Sequence, residues 1–201
     1  MKFSIRSFLL LAAGCVFFVG FGSREAMAAP IPPSALAGTY TVTGRGSVAI
    51  CTGPAPTFTE IPCSKFKEGV DFSFPMTVVQ VGEITIDAKG NSCDTITETV
   101  SDFPVDFSPP IVPTAHDVVL AKNVSYDPST GIGDVSGTAF TGGSCNGAVF
   151  NSKGATKVNT FSDHFIASDN GNRIDTLLTK LQDPIGGIGD FSFSAIDLKR
   201  P

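Results

Sequence analysis

Alternation of polar and apolar residues, interrupted at short intervals by turn residues, extends over most of this chain. Residues 39–50 show it clearly, since Tyr40, Val42, Val48 and Ile50 share one parity and polar residues the other. Successive side chains of a strand point to opposite faces, so this period predicts half-buried β-strands. Hardly any segment has an uninterrupted helical period. The sequence therefore predicts an all-β fold, a single antiparallel β-barrel or sandwich of roughly eight to ten strands.

A ten-residue pattern occurs twice in the second half of the chain. Residues 131–140 and 187–196 have Gly, Ile, Gly, Asp, Ser and Ala in register. Each copy predicts a Gly-x-Gly turn that leads into a strand. The side chains expected on the inner face are small in the first copy (Val135, Gly137 and Ala139) and include two large rings in the second (Phe191 and Phe193, with Ala195). If the two strands are close together, we expect Phe193 to fill the space beside Gly137.

The first 28 residues have the pattern of a signal peptide. Lys2 and Arg6 precede an apolar run at 8–21, and a small-x-small site follows at 26–28. We expect cleavage after Ala28 and a secreted or periplasmic mature protein. Residues 11–15 also resemble a bacterial lipoprotein box, so a lipid anchor at Cys15 is the alternative.

The mature chain is expected to contain a Pro-rich lead-in at 29–37 and a barrel domain at 38–201, with ordered structure beginning at Gly38. Removal of the leader, with Lys2, Arg6, Arg24 and Glu25, changes the formal net charge from −5 to −7. An acidic chain without a basic stripe argues against nucleic acid and anionic membranes as partners. No transmembrane span is expected in the mature chain.

Four cysteines remain after cleavage, and in an exported protein they predict disulfides. Four cysteines allow three pairings. Cys51 and Cys63 enclose a Pro-rich loop, so we expect a bond between its ends. Cys93 and Cys145 each follow a similar Gly-containing turn, and we expect them to form the second pair. No Cys-x-x-Cys spacing or nearby His favours a metal site instead.

Sequence motifs for catalysis are absent: there is no Gly-x-Ser-x-Gly elbow, His-Glu-x-x-His pair, phosphate loop or dinucleotide fingerprint. We therefore expect no catalytic residue, cofactor or metal, although Asp134 and Asp190 in the repeated motif leave calcium as a lesser interpretation. Glu98 lies among apolar residues of its strand face and could be an interior carboxylate. The other candidates for a ligand pocket are polar residues near a predicted hairpin turn: His164, Arg173 and Asp175.

Three segments carry a family resemblance. They are Ala-Gly-Thr-Tyr-Thr-Val at 37–42, Gly-Glu-Ile-Thr-Ile-Asp-Ala-Lys-Gly-Asn at 82–91, and His-Phe-Ile-Ala-Ser-Asp-Asn-Gly-Asn-Arg-Ile-Asp at 164–175. The chain resembles uncharacterised bacterial secreted β-proteins that are similar in build to lipocalin-like and allene-oxide-cyclase-like barrels. The resemblance implies a barrel and, as one possibility, a site for a hydrophobic small molecule.

Two functions follow from these patterns. The first is a non-enzymatic binding or interaction module at the cell envelope, with another envelope protein as partner. The alternative is a small carrier or cyclase-like enzyme for a hydrophobic small molecule. A core filled by phenylalanines would argue against the second function, and a cavity lined by Glu98 or His164 would argue for it; the phenylalanines concerned are Phe72, Phe74, Phe165, Phe191 and Phe193.

The expected processing and pairing can be tested by mass spectrometry of the exported protein. The mature chain should begin at Ala29, because cleavage follows the small-x-small site. Its four remaining cysteines should react with an alkylating reagent only after reduction. A mature protein with four free thiols, or one that carries a lipid at Cys15, would contradict these expectations.

Overall fold

The computed structural model describes residues 29–56, 58–102 and 114–201 of the chain. The expected signal peptide at 1–28, the alternative lipid site at Cys15 and the Pro-rich loop at 103–113 lie outside the described residues. No helix in the described part is long and apolar enough to cross a membrane. Its helical segments are short 3₁₀ turns at Pro33–Leu36, Cys63–Lys65 and Asp169–Gly171.

The described residues form an all-β structure, as the alternating sequence predicts. The strands are β1 (Gly38–Thr52), β2 (Phe72–Ile86), β3 (Asn91–Asp102), β4 (Thr114–Asp127), β5 (Ile132–Thr141), β6 (Ser144–Asn146), β7 (Val149–Asn151), β8 (Thr156–Ser168), β9 (Arg173–Gln182) and β10 (Ile188–Lys199). Eight of them form a closed antiparallel barrel in the order β1-β10-β9-β8-β5-β4-β3-β2, and β6 and β7 form a separate hairpin. The prediction of an antiparallel barrel is confirmed.

The barrel closes because β1 pairs with two partners over nearly its whole length. One edge pairs with β2, from Gly38 opposite Ile86 to Thr52 opposite Phe72. The other edge pairs with β10, starting with Tyr40 opposite Lys199. Closure pairs the strand edges that an open sheet would expose, and the shortest pairing in the ring is that of β9 with β10, at 173–177 and 194–198.

Phenylalanine rings on the inner wall cover glycines on the neighbouring strand. The three cross-strand pairs are Gly46 with Phe193, Gly137 with Phe161, and Gly133 with Phe165. The expected contact between Phe193 and Gly137 is wrong. The two copies of the repeated motif form β5 and β10, and β8 and β9 lie between them in the barrel. Each glycine therefore receives a ring from its own neighbour.

The lead-in forms ordered structure, which corrects the expectation that order begins at Gly38. It makes a 3₁₀ turn at Pro33–Leu36 and buries Leu36 against one end of the barrel. The Tyr40 hydroxyl donates to the Leu36 carbonyl at 2.8 Å and lies 2.7 Å from the Gly171 carbonyl, within hydrogen-bonding distance of both. We call the buried cluster at this end the plug; it consists of Leu36, Tyr40, Phe165, Ala167 and Ile174.

The cysteines are paired as expected. Cys51 and Cys63 form one disulfide, with their Cα atoms 5.3 Å apart, across the loop between β1 and β2. Cys93 and Cys145 form the other, with a Cα separation of 5.7 Å, and attach the β6–β7 hairpin to β3. Two disulfides indicate that the chain folds in an oxidising compartment.

The close approach at Gly46 gives a testable consequence for stability. A Cβ atom at this position would lie 2.2 Å from the Ser192 carbonyl oxygen and 2.7 Å from the Phe193 Cα, both backbone atoms. Gly46→Ala should therefore force the two strands apart and lower the free energy of unfolding by about 1–3 kcal/mol.

The matched control is Gly53→Ala, because a Cβ there would meet its nearest neighbour at 3.7 Å, an ordinary contact. Its effect should remain within about 0.5 kcal/mol. Urea unfolding of both variants makes the comparison. If both variants lost the same free energy of unfolding, the close approach of the strands at Gly46 would not be what excludes a side chain there.

Candidate ligand-binding site

The barrel encloses a cavity of about 380 Å³, a size typical of small-molecule sites. All eight barrel strands contribute inward-facing residues, and Pro33 and Leu36 of the lead-in form the wall at the plugged end. Most of the wall is apolar, with representative side chains Val42, Val78, Ile84, Ile96, Val119 and Leu178. The cavity could therefore accept a ligand with an apolar body.

Acidic side chains interrupt this apolar wall on four different strands. They are Asp94, Glu98, Asp117, Asp163 and Asp197. The wall contains no Lys, Arg or His among the residues that the structure describes. The interior consequently has acidic groups without a basic side chain beside them.

Three of these carboxyl groups lie next to the plug, and we call them the acidic cluster: Asp94, Asp163 and Asp197. Their strand partners are Ile84 and Val119 for Asp94, Val135 and Leu178 for Asp163, and Val42 and Ile174 for Asp197. Ile174 belongs to the plug, and Ile84 and Val135 pack against it. The barrel thus brings carboxyl groups from β3, β8 and β10 to one end of the cavity.

Burial raises the pKa of each carboxyl group in the acidic cluster, because a charged carboxylate loses its hydration there. The pKa values of Asp163 and Asp197 rise to about 7. The pKa of Asp94 is raised well above its ordinary value, first by burial and then by Asp197, while Ser92 acts in the opposite direction through a hydrogen bond.

The three groups also repel one another as they ionise. Burial is the main cause of the raised pKa of Asp197, with further contributions from Asp163 and Asp175. For Asp163, His164 on the adjacent outer face partly offsets the effect of burial. Asp163 and Asp197 therefore take up and release protons near pH 7, and their ionisation is coupled to that of Asp94.

Each member of the acidic cluster has an oxygen that lacks a hydrogen-bond partner within the described part of the chain. These buried atoms are Asp94 Oδ1, Asp163 Oδ1 and Asp197 Oδ1. The side chains are well enclosed, since Asp94 is 7% exposed and Asp197 5%. Buried polar atoms are usually satisfied, so three such oxygens at one end of a cavity indicate a place for a hydrogen-bond donor.

The sequence candidate Glu98 lines the cavity on β3. Gln80, its direct partner on β2, donates from Nε2 to Glu98 Oε2 at 2.6 Å. Burial raises the pKa of Glu98, the Gln80 hydrogen bond opposes this effect, and Asp117 adds to it. Glu98 is thus an interior carboxyl group, but it already has a donor.

The other three sequence candidates lie outside the lining of this cavity. His164 faces outward, with 63% of its side chain exposed, and contacts Asp134 on β5. Arg173 and Asp175 form an exposed ion pair on β9, with hydrogen bonds of 2.8 and 2.7 Å. Strand parity explains the result, because their neighbours Asp163 and Ile174 face the interior.

The same parity would have identified the acidic cluster. Asp94 shares a face with Ile96, Asp163 lies between Phe161 and Phe165, and Asp197 follows Ala195 by two residues. The candidates chosen from the sequence were a glutamate, a histidine and polar residues beside a turn, so these three aspartates were missed. An aspartate on the apolar face of a predicted strand is the signal that was available.

Neither a metal site nor a known relative helps to assign the cavity. The described residues contain no group of three or more His, Cys, Asp or Glu side chains placed to hold a metal ion. Comparison with known proteins gives no match: no family model, curated protein or solved structure is detectably similar to this chain. The function has to be inferred from the geometry of the cavity.

The raised pKa values predict that the barrel loses stability as the pH rises. Asp163 and Asp197 hold protons in the folded state up to about pH 7, whereas in the unfolded chain they release them near pH 4. The folded state therefore binds more protons between about pH 4 and 7, and the stabilisation present below this window is lost across it. The charged groups that act on them are Asp94, Asp175 and His164.

Asp197→Asn tests this dependence, since asparagine does not titrate. The loss of stability between about pH 4.5 and 7.5 should be smaller in the variant by roughly 2–4 kcal/mol, at about 1.4 kcal/mol per unit of pKa. Denaturant unfolding across this pH range measures it, with Asp190→Asn, an exposed position on the same strand, as control. An unchanged pH profile in Asp197→Asn would contradict the assignment.

Proposed function

We propose that this protein is an exported β-barrel that binds a small, largely apolar molecule inside the barrel. The observation that carries the proposal is the interior cavity of about 380 Å³, lined mainly by apolar side chains. A barrel of eight strands has an interior that side chains can fill or that can hold one small ligand. An interior with a cavity of this size fits a barrel that holds one small ligand.

The phenylalanines that could have filled the core leave the cavity open, although Phe165 is buried in the plug. Phe72 is 43% exposed. With Phe74 and Phe58 it forms an aromatic cluster at the beginning of β2, with ring centroids 5.3–6.1 Å apart. Phe191 and Phe193 line the cavity wall. The presence of Glu98 in that wall favours the small-molecule function over a purely external interaction module.

Small inner residues leave the space that a ligand would occupy. Ala121, Ala139 and Ala195 are buried in the barrel and line the cavity. Apolar pockets of this kind bind chiefly by removing apolar surface from water, and a few polar groups orient the ligand.

The proposal places the protein outside the cytoplasm. Two disulfides indicate an oxidising compartment. With the signal-like pattern before Ala29, they support a secreted or periplasmic protein, and a lipid anchor at Cys15 remains the alternative form of the same localisation. The apolar interior cavity supports a carrier or binding role in this setting.

Calorimetric titration with 2-(1-naphthyl)ethanol, a neutral molecule with an apolar body, tests the proposal. The mature protein should bind it, and Ala139→Leu should weaken the binding by at least about tenfold because the larger side chain occupies cavity volume. Thr138→Leu is the matched control, since the adjacent residue faces away from the cavity wall.

The thermal unfolding of both variants should show that they are folded. Absence of binding to the unaltered protein would overturn the proposed function. Equal weakening by Ala139→Leu and Thr138→Leu would place the ligand outside the barrel.

A further inference from the structure

We propose that the ligand of the cavity is a small protonated amine with an apolar body, and that its ammonium group lies among Asp94, Asp163 and Asp197. This inference rests on the proposed small-molecule function and specifies the chemistry of the ligand. The apolar wall would receive the body of the molecule, and the acidic cluster would receive its charged end.

The position of the acidic cluster supports this arrangement. Asp94, Asp163 and Asp197 come from three strands that are not direct neighbours, and all three line the same cavity. They are close enough for Asp94 to be influenced by both of the others, and Asp197 by Asp163. A cation bound at the plugged end would therefore lie in the electrostatic field of all three carboxyl groups.

The unpartnered oxygens give the second, independent argument. Asp94 and Asp197 are each more than nine-tenths buried, line the cavity, and leave one Oδ1 atom without a partner among the described residues. Asp163 leaves a third such oxygen. An ammonium group carries three N–H donors and no acceptor, which suits buried acceptors that lack a donor. Charge-assisted hydrogen bonds of this type are stronger than those between neutral groups.

The basic side chains beside the cluster in the chain are directed elsewhere. Lys199, two residues after Asp197, donates from Nζ to the Ala35 carbonyl at 2.8 Å and lies over the Tyr40 ring. His164, next to Asp163, contacts Asp134 on the outer face. The described residues thus supply no internal cation for the acidic cluster, and a ligand can supply it.

Other ligand chemistries fit the cluster less well. An alcohol offers one donor and no positive charge, so it would leave buried carboxyl oxygens unsatisfied. A carboxylate would place a like charge beside the cluster, which is unfavourable at short range in a poorly hydrated interior. The structure therefore predicts a preference for amine over alcohol and for alcohol over carboxylate.

Three probes with the same naphthyl body test the preference: 2-(1-naphthyl)ethylamine, 2-(1-naphthyl)ethanol and 1-naphthylacetate. Calorimetric titration of the mature protein near pH 8 should give at least about tenfold tighter binding of the amine than of the alcohol. The carboxylate should bind more weakly than the alcohol. Equal affinity for amine and alcohol would overturn this inference and leave the proposed function intact, whereas failure of all three probes to bind would overturn both.

Asp197→Asn separates charge recognition from a structural effect. It should reduce the affinity for the amine by at least about tenfold and change the affinity for the alcohol by less than about threefold. Asp190→Asn, an exposed change of the same type, should alter neither affinity. Retention of the amine preference in Asp197→Asn, or equal loss of both ligands, would overturn the inference. If Asp197→Asn does not fold, Asp163→Asn has the same expected results.

Discussion

In the part of the chain that the structure describes, the interior of this barrel contains buried carboxyl groups without a basic side chain beside them, and this is its main electrostatic constraint. Moving a carboxylate out of water is costly, and in proteins such groups usually acquire a partner or take up a proton. Here the raised pKa values of Asp163 and Asp197 show the second response. A ligand that carries a positive charge could take the place of these protons, because it would neutralise the ionised aspartates. The cost of burying the carboxyl groups would then favour binding of a cation in the cavity.

Closure of the sheet makes this burial possible, and two local features support closure. Rings lie over glycines of the adjacent strand, as in the pairs Gly46–Phe193 and Gly137–Phe161, so backbones approach closely while the wall remains continuous. At one end, the Tyr40 hydroxyl lies within hydrogen-bonding distance of the lead-in and of the turn after β8. The plug thereby covers the end of the cavity at which the acidic cluster lies, where Asp94 and Asp197 are buried.

The sequence predicts the strands well because their signal is local. Two-residue periodicity indicates β1 with nearly the observed bounds, since the alternation at 39–50 falls within Gly38–Thr52, and turn positions suggest both cysteine pairs. The order of strands around the barrel depends on distant pairings, and for this reason the partner of Phe193 was wrong. The plug was missed because proline favours an unpaired lead-in without specifying where it packs. Parity places each aspartate inside, but only the closed strand order brings Asp94, Asp163 and Asp197 together.

The position of β10 between β1 and β9 has a consequence for biosynthesis. β1 cannot complete its pairing until β10 is available, so the barrel can close only after both strands have been synthesised. Contacts between such distant segments slow folding, since the closing loop is nearly the whole domain. Barrel closure is thus the last strand pairing that the order of synthesis allows among the described residues.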